Sequence, residues 1–112
     1  MSAVEVVQRQ LDAYNAHDLA GFVAAYSDAV QVFRMPATQP AISGKSQLAD
    51  FYATRRFNVP KLRAELVNRM IVGDKVVDHE HIRGLGDAPI EAVAVYQVTD
   101  DLIVNVWFFS PD

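Results

Sequence analysis

From Ala3 to Ala16 the residues Val4, Val7, Leu11 and Tyr14 fall at steps of three and four, which is the spacing of one face of an amphipathic helix. Gln10 shares that face. Asp18 supplies a side-chain cap for a second helix, in which Leu19, Phe22, Val23 and Tyr26 repeat the spacing. Val30 to Arg34 is too short for another helix, and its alternation of Val30 and Val32 with Gln31 and Phe33 predicts a strand. The proline-bearing stretch Met35 to Ser43 predicts a loop. After Gly44, the residues Leu48, Phe51, Tyr52 and Arg55 mark a third helix that ends before Asn58 and Pro60.

From Lys61 the period becomes two. Leu62, Ala64, Leu66, Met70 and Val72 alternate with Arg63, Glu65 and Arg69, a long strand with one wet side. Gly73-Asp74 suits a hairpin turn, after which Lys75 to Arg83 returns as a strand. Turns at Gly84 to Pro89 and Thr99 to Asp101 separate two further strands, Ile90 to Val98 and Leu102 to Phe109. Helices first and hairpin-linked strands afterwards predict an α+β fold: three helices packed on the concave side of a curved antiparallel sheet. The concave space is where a small-molecule site is expected.

The chain length, 112 residues, suits one domain spanning 1–112. A net charge of −4 lacks the basic face that nucleic acid or anionic lipid would require, so neither partner is expected. With no cysteine there is no disulfide, thiol nucleophile or thiolate metal site. Met1 to Val7 lacks a leader-like pattern and no apolar run approaches the ~18 residues needed to span a bilayer, so the expectation is a cytoplasmic protein.

The densest chemistry lies in Asp78-His79-Glu80-His81-Ile82-Arg83. On a strand, His79, His81 and Arg83 share one face, and Asp78, Glu80 and Ile82 the other. A one-residue slip in register exchanges the two sets. Imidazoles suit proton transfer near neutrality. As metal ligands the two histidines need a third donor, and the nearest carboxylates point the other way, so neither a metal nor a cofactor is expected. The competing reading makes one histidine a buried, bonded polar group and leaves the other near solvent. Asn105, Trp107 and Phe109 alternate on the last strand, and with Phe51 and Tyr52 they form a candidate pocket lining. Val93, Val95, Val104 and Val106 then occupy the opposite face, an apolar surface that suggests an interface.

The element order resembles the nuclear transport factor 2 superfamily, whose cone-shaped members include ketosteroid isomerases, SnoaL-like polyketide cyclases and scytalone dehydratases. Val6 to Val32, with the turn Asn15-Ala-His-Asp-Leu19, resembles the N-terminal helices of ketosteroid isomerases and SnoaL-like proteins. Ser43-Gly44 leading to Asp50-Phe51-Tyr52-Ala53 resembles their third helix, and Trp107-Phe108-Phe109 their last strand. The resemblance covers essentially the whole chain and implies a cystatin-like roll, a homodimer formed through the sheet, and His79 and His81 facing the pocket.

Ketosteroid isomerases use an aspartate base with a tyrosine and a protonated aspartic acid as oxyanion hole. Aligned to that pattern, this chain has Arg34 in place of the base, Gln10 in place of the tyrosine and Ala94 in place of the acid. A guanidinium cannot abstract a proton. The resemblance therefore implies a small-molecule pocket protein without the ketosteroid isomerase residues. It would be a proton-transfer isomerase, lyase or cyclase using His79, assisted by His81 and by Tyr14 one turn beyond Gln10. Arg34, Gln10, Asn105 and the aromatics would hold a small apolar or carboxylated ligand. Arg34 alternatively pairs with an acid or reaches out of the cone mouth. A non-catalytic binding or dimerisation module is the alternative function.

Overall fold

The structure is a computed structural model that describes residues 1–111. Helix α1 (Ala3–Asn15) starts at Ser2, whose hydroxyl accepts the Glu5 amide at 3.2 Å while the Glu5 carboxylate accepts the Ser2 amide at 3.0 Å. This reciprocal cap satisfies two otherwise unpaired donors. The helix buries Val6, Val7, Gln10, Leu11 and Tyr14, the face its spacing predicts with Val6 added. Helix α2 (Leu19–Ala24) is capped by Asp18, which accepts the Gly21 amide at 3.0 Å. Tyr26 is not part of that helix. It opens strand β1 (Tyr26–Arg34), which begins four residues before the predicted strand.

A short strand β2 (Ile42–Ser43) lies at the end of the expected loop and pairs with β1. Helix α3 (Lys45–Arg55) follows, then β3 (Arg63–Val72), β4 (Lys75–Arg83), β5 (Ile90–Thr99) and β6 (Leu102–Phe109). The six strands form one sheet in the order β2-β1-β6-β5-β4-β3. All neighbours are antiparallel except β1 and β6, which run parallel and join the first half of the chain to its end. The fold is the expected α+β roll on a curved sheet. Among the described residues no helix is long and apolar enough to cross a membrane.

The turn between the first two helices is tied to the edge of the sheet by side chains. Asn15 donates to the Ala64 carbonyl at 3.0 Å and accepts the Ala64 amide at 2.8 Å, so its amide group continues the ladder as a strand would. His17 bonds the Leu62 carbonyl at 2.8 Å and stacks on Phe57. Behind this turn Phe22 packs against Tyr14, Tyr26, Tyr52 and Phe57, with ring centroids 4.5 to 6.0 Å away. These rings form the aromatic floor of the space between helices and sheet.

Two register shifts decide which side chains reach that space. Val67 is the extra residue of β3, between the pairs Leu66–Glu80 and Asn68–His79. Val104 is the extra residue of β6, between Ile103–Val98 and Asn105–Gln97. Beyond it the inward residues are Val106 and Phe108, while Asn105 and Trp107 lie on the outer face and Phe109 is exposed at the strand end. The expectation for β6 is therefore corrected: strict alternation assigned Val106 outward and Asn105, Trp107 and Phe109 inward, and one bulge reverses the parity. Val93 and Val95 do face outward, in line with Phe109 and Trp107.

On the inner face Asp78 is fully buried and holds Arg69 from β3 in a two-point pair, with Nε–Oδ1 at 2.7 Å and Nη2–Oδ2 at 2.9 Å. The remaining Nη1 donates to Gln8 of α1 at 2.8 Å. One guanidinium thus links two strands and a helix. Removing it leaves a buried carboxylate without a partner, so Arg69→Met should lower stability by about 3 kcal/mol or more in urea unfolding. Combining it with Asp78→Leu should recover much of that loss. A single variant as stable as wild type would show that the pair does not matter.

Candidate functional site

Strand β4 sets the site. Its burial alternates so that Val76, Asp78 and Glu80 point to the helices, while Val77, His79 and His81 point to the other side of the sheet. The expected inward orientation of His79 and His81 is therefore corrected. Both strand faces carry polar residues here, so the hydrophobic pattern does not select a register. Buried Val76, and Ile82 opposite buried Ala64, lie on the inner face in the observed one.

Glu80 is 4% exposed and, unlike Asp78, has no hydrogen-bond partner or ion pair among the described residues. It borders a cavity of about 30 Å³ lined by Gln10, Leu11, Tyr14, Phe22, Tyr26 and Tyr52 from the helical half of the chain and by Tyr96 and Phe108 from the sheet. That volume suffices for one or two waters. Burial pushes the Glu80 carboxyl up from 4.5 to about 7, and the negative charge of Asp78 adds to the effect, with Arg69 opposing both. Its proton affinity is thus tuned to neutrality.

Four tyrosines surround this carboxyl. Burial is the first cause that pushes each of the Tyr14, Tyr26, Tyr52 and Tyr96 hydroxyls upward, and Glu80 contributes to all four. They remain O–H donors at any working pH. Tyr26 donates to the Gln10 Oε1 at 3.1 Å, which explains how a glutamine is accommodated on the buried face of α1. Tyr14, Tyr52 and Tyr96 have no hydrogen-bond partner among the described residues, although all three border the cavity. Their hydroxyls are available to a ligand.

Tyr52, Ile82 and Phe108 also line an outer basin of about 240 Å³ that opens to solvent. Its rim carries Arg34 and Arg56. The Arg34 guanidinium lies 5.6 Å from the Phe51 ring centroid and 5.7 Å from that of Phe108, and Arg56 lies 5.0 Å from Phe51. Aromatic faces thus hold two permanent cations at the mouth. Among the described residues no salt bridge to an acid occupies Arg34.

Of the residues singled out in the sequence, the structure brings Gln10, Tyr14 and Tyr52 to the inner cavity and Arg34 to its mouth, with Phe51 beneath the guanidinium. Asn105 bonds Gln97 and Trp107 stacks on Phe33, both on the outer face, and Phe109 sits at the basin edge. Glu80 and Tyr96 were missed. The signal was present in part: Tyr96 alternates with Ala94 and Val98 on one strand, and Glu80 shares the parity of Val76, Asp78 and Ile82, which is buried once the histidines face out.

A carboxyl that binds its proton more tightly when folded has a signed effect on stability. Between pH 4.5 and about 7 the folded chain holds the Glu80 proton and the unfolded chain has released it, so stability falls as pH rises through that window. The loss amounts to about 3 kcal/mol above it. Glu80→Gln removes this term, and the variant should be more stable than wild type at about pH 8 and nearly equal to it at about pH 4 in paired urea titrations. Equal stability at both pH values would contradict the assignment.

The fold has many solved relatives. An uncharacterised cystatin-fold protein from Novosphingobium aromaticivorans is 27% identical over 96% of this chain and 97% of its own, with a TM-score of 0.86. The Δ5-3-ketosteroid isomerase of a Mycobacterium species is 21% identical over 96% and 92%, at TM-score 0.80. A computationally designed 17-OHP binder is 19% identical over 96% and 93%, at TM-score 0.81. The last two likenesses establish the fold alone, and one is an enzyme while the other is a binder. No protein in a search of curated sequences is significantly similar. The model of the SnoaL-like domain matches residues 7–106, and the chain belongs to that family, within the nuclear transport factor 2-like superfamily.

Proposed function

We propose that this protein is a proton-transfer enzyme of isomerase, lyase or cyclase type, acting on a small carbonyl compound that carries a carboxylate. The observation that carries the proposal is Glu80, a buried, unpaired carboxyl poised near pH 7 beside three tyrosine hydroxyls without protein partners. General acid-base groups work best when their pKa lies near the working pH. Glu80 replaces His79 in the role expected from the sequence.

In the proposed reaction the substrate carboxylate rests at the mouth, where Arg34 and Arg56 offer planar, charged donors. The C–H next to its carbonyl points inward to Glu80. As that bond breaks, the proton moves to the carboxylate and the electron pair passes into the enolate, whose oxygen accepts hydrogen bonds from Tyr14 or Tyr52. Where a double bond adjoins the deprotonated carbon the pair spreads into a dienolate, and the protonated Glu80 returns the proton at the far carbon of that system, completing an isomerisation. Alternatively, the enolate expels a leaving group, which is the lyase outcome. The cavity and its basin together fall short of the ~300 Å³ at which pockets for drug-sized ligands begin, which favours a compact substrate over a steroid.

Binding without chemistry is the second reading, and the small inner cavity favours it. Exchange of substrate C–H for deuterium, followed by NMR across a panel of small keto acids, distinguishes the two. Wild type should catalyse exchange, and Glu80→Gln should lower the rate about 10²- to 10⁴-fold. Arg34→Ala should weaken binding of the carboxylated compounds about ten-fold or more while sparing uncharged analogues. Saturable binding with no exchange by wild type would favour the binder.

Dimerisation through the outer sheet face also belongs to this proposal. Phe33, Trp107, Val95, Val77 and Met70 form one row across five strands there. Such a row needs a cover, and a second copy presenting the same row supplies it. Sedimentation should find a dimer for wild type and a monomer for Trp107→Glu; a monomeric wild type would refute the pairing.

A further inference from the structure

The two histidines that the register turns away from the cavity meet a third donor on the outer face. His79 and His81 lie on β4, and the cross-strand partner of His81 is Glu91 of β5. One ligand atom from each falls within 4.8 Å of the others. The His79 Nε2 is 2.6 Å from the Glu91 Oε2, and the His81 Nε2 is 3.9 Å from the same oxygen. We infer that His79, His81 and Glu91 form a binding site for a zinc-class divalent cation on the outer face of the sheet.

The donor set fits such a metal. Two imidazole nitrogens and one carboxylate oxygen suit borderline cations and are too nitrogen-rich for calcium or magnesium. Tetrahedral zinc places its donors about 3.4 Å apart, given bond lengths near 2.1 Å. The observed 2.6 and 3.9 Å spacings bracket that value. All three side chains are between a third and a half exposed, so small rotations bring them to it without moving the backbone. The strands themselves fix the site, because His79 and His81 are alternate residues of one strand and Glu91 is paired directly across.

An outer carboxylate completes the arrangement. Glu65 of β3 pairs across from His81 on the other side, and its Oε1 lies 3.9 Å from the His81 Nδ1, the ring nitrogen facing away from Glu91. That gap is longer than a hydrogen bond, and a small rotation closing it would let the carboxylate orient the ring from outside the donor set. Arg83 lies 3.4 Å from the same Glu65 oxygen. Three protein donors leave a fourth coordination position for water or another ligand. The neighbouring carboxylates Asp78 and Glu80 face away and cannot serve, which is why the strand alone gives no hint of the third ligand.

Isothermal titration of zinc chloride into the full chain at about pH 7.5 tests the inference. The expected result is saturable binding of one zinc per chain, weakened about ten-fold or more by each of His79→Gln, His81→Gln and Glu91→Gln. In NMR spectra the ring protons of His79 and His81 should respond to zinc while those of His17, bonded to the Leu62 carbonyl, should not. Circular dichroism confirms that these surface variants remain folded. No saturable binding by wild type, or binding that the three substitutions leave unchanged, overturns the site.

Discussion

Two carboxylates, Asp78 and Glu80, project from one strand onto the same buried face, and a single guanidinium is there to serve them. Arg69 bonds both oxygens of Asp78 and spends its remaining donor on Gln8, so Glu80 is left without a counter-charge. The ion pair has two consequences at once. It fixes β3, β4 and α1 to one another, and its uncompensated neighbour keeps a proton near neutrality because ionising next to Asp78 in a dry environment is costly. The strongest polar anchor of the fold therefore also creates the titratable group of the site.

The surroundings of Glu80 follow from packing as much as from polarity. Phe22 sits at the centre of an aromatic cluster whose tyrosines border the cavity. A tyrosine contributes apolar area to the core while its oxygen stays at the cavity wall. This lets one set of residues act as both core and site. At the open end the cations of Arg34 and Arg56 rest on Phe51 and Phe108, so positive charge without an acid partner among the described residues is concentrated at the open basin. A polar head and a reactive carbon would be sorted to opposite ends of the cleft.

The helices were readable from sequence because each carries apolar residues at three-four spacing, and the second also shows its cap, Asp18 with Gly21, while the third starts at Gly44 with no side-chain cap. The long strands were readable as strands, although β1 starts earlier than predicted and β2 lies in a stretch read as loop, and the family resemblance placed them in the right fold. Facing was harder. At Val104 one bulged residue inverts the rest of β6, and nothing in a run of Val, Asn, Val and Trp marks where the extra residue falls. In β4 both parities carry ionisable groups, so the sequence offers two pockets, one acidic and one imidazole-bearing. Neighbouring strands decide between them through contacts far away in sequence. Gln10, Tyr14, Tyr52 and Arg34 were identified from helical spacing and alignment, which a bulge does not disturb. Glu80 and Tyr96 depended on the register and were missed.

The central claim is that Glu80 holds its proton near neutrality in the folded protein. Carbon-13 NMR of the glutamate side-chain carboxyls, with the Glu80 signal assigned by its absence in Glu80→Gln, measures this directly. The account predicts a titration midpoint for that one signal at about 7, separated from the other glutamates. A midpoint at the ordinary 4.5 would mean that water or a counter-charge reaches Glu80, and the proposed site would lose its acid and base.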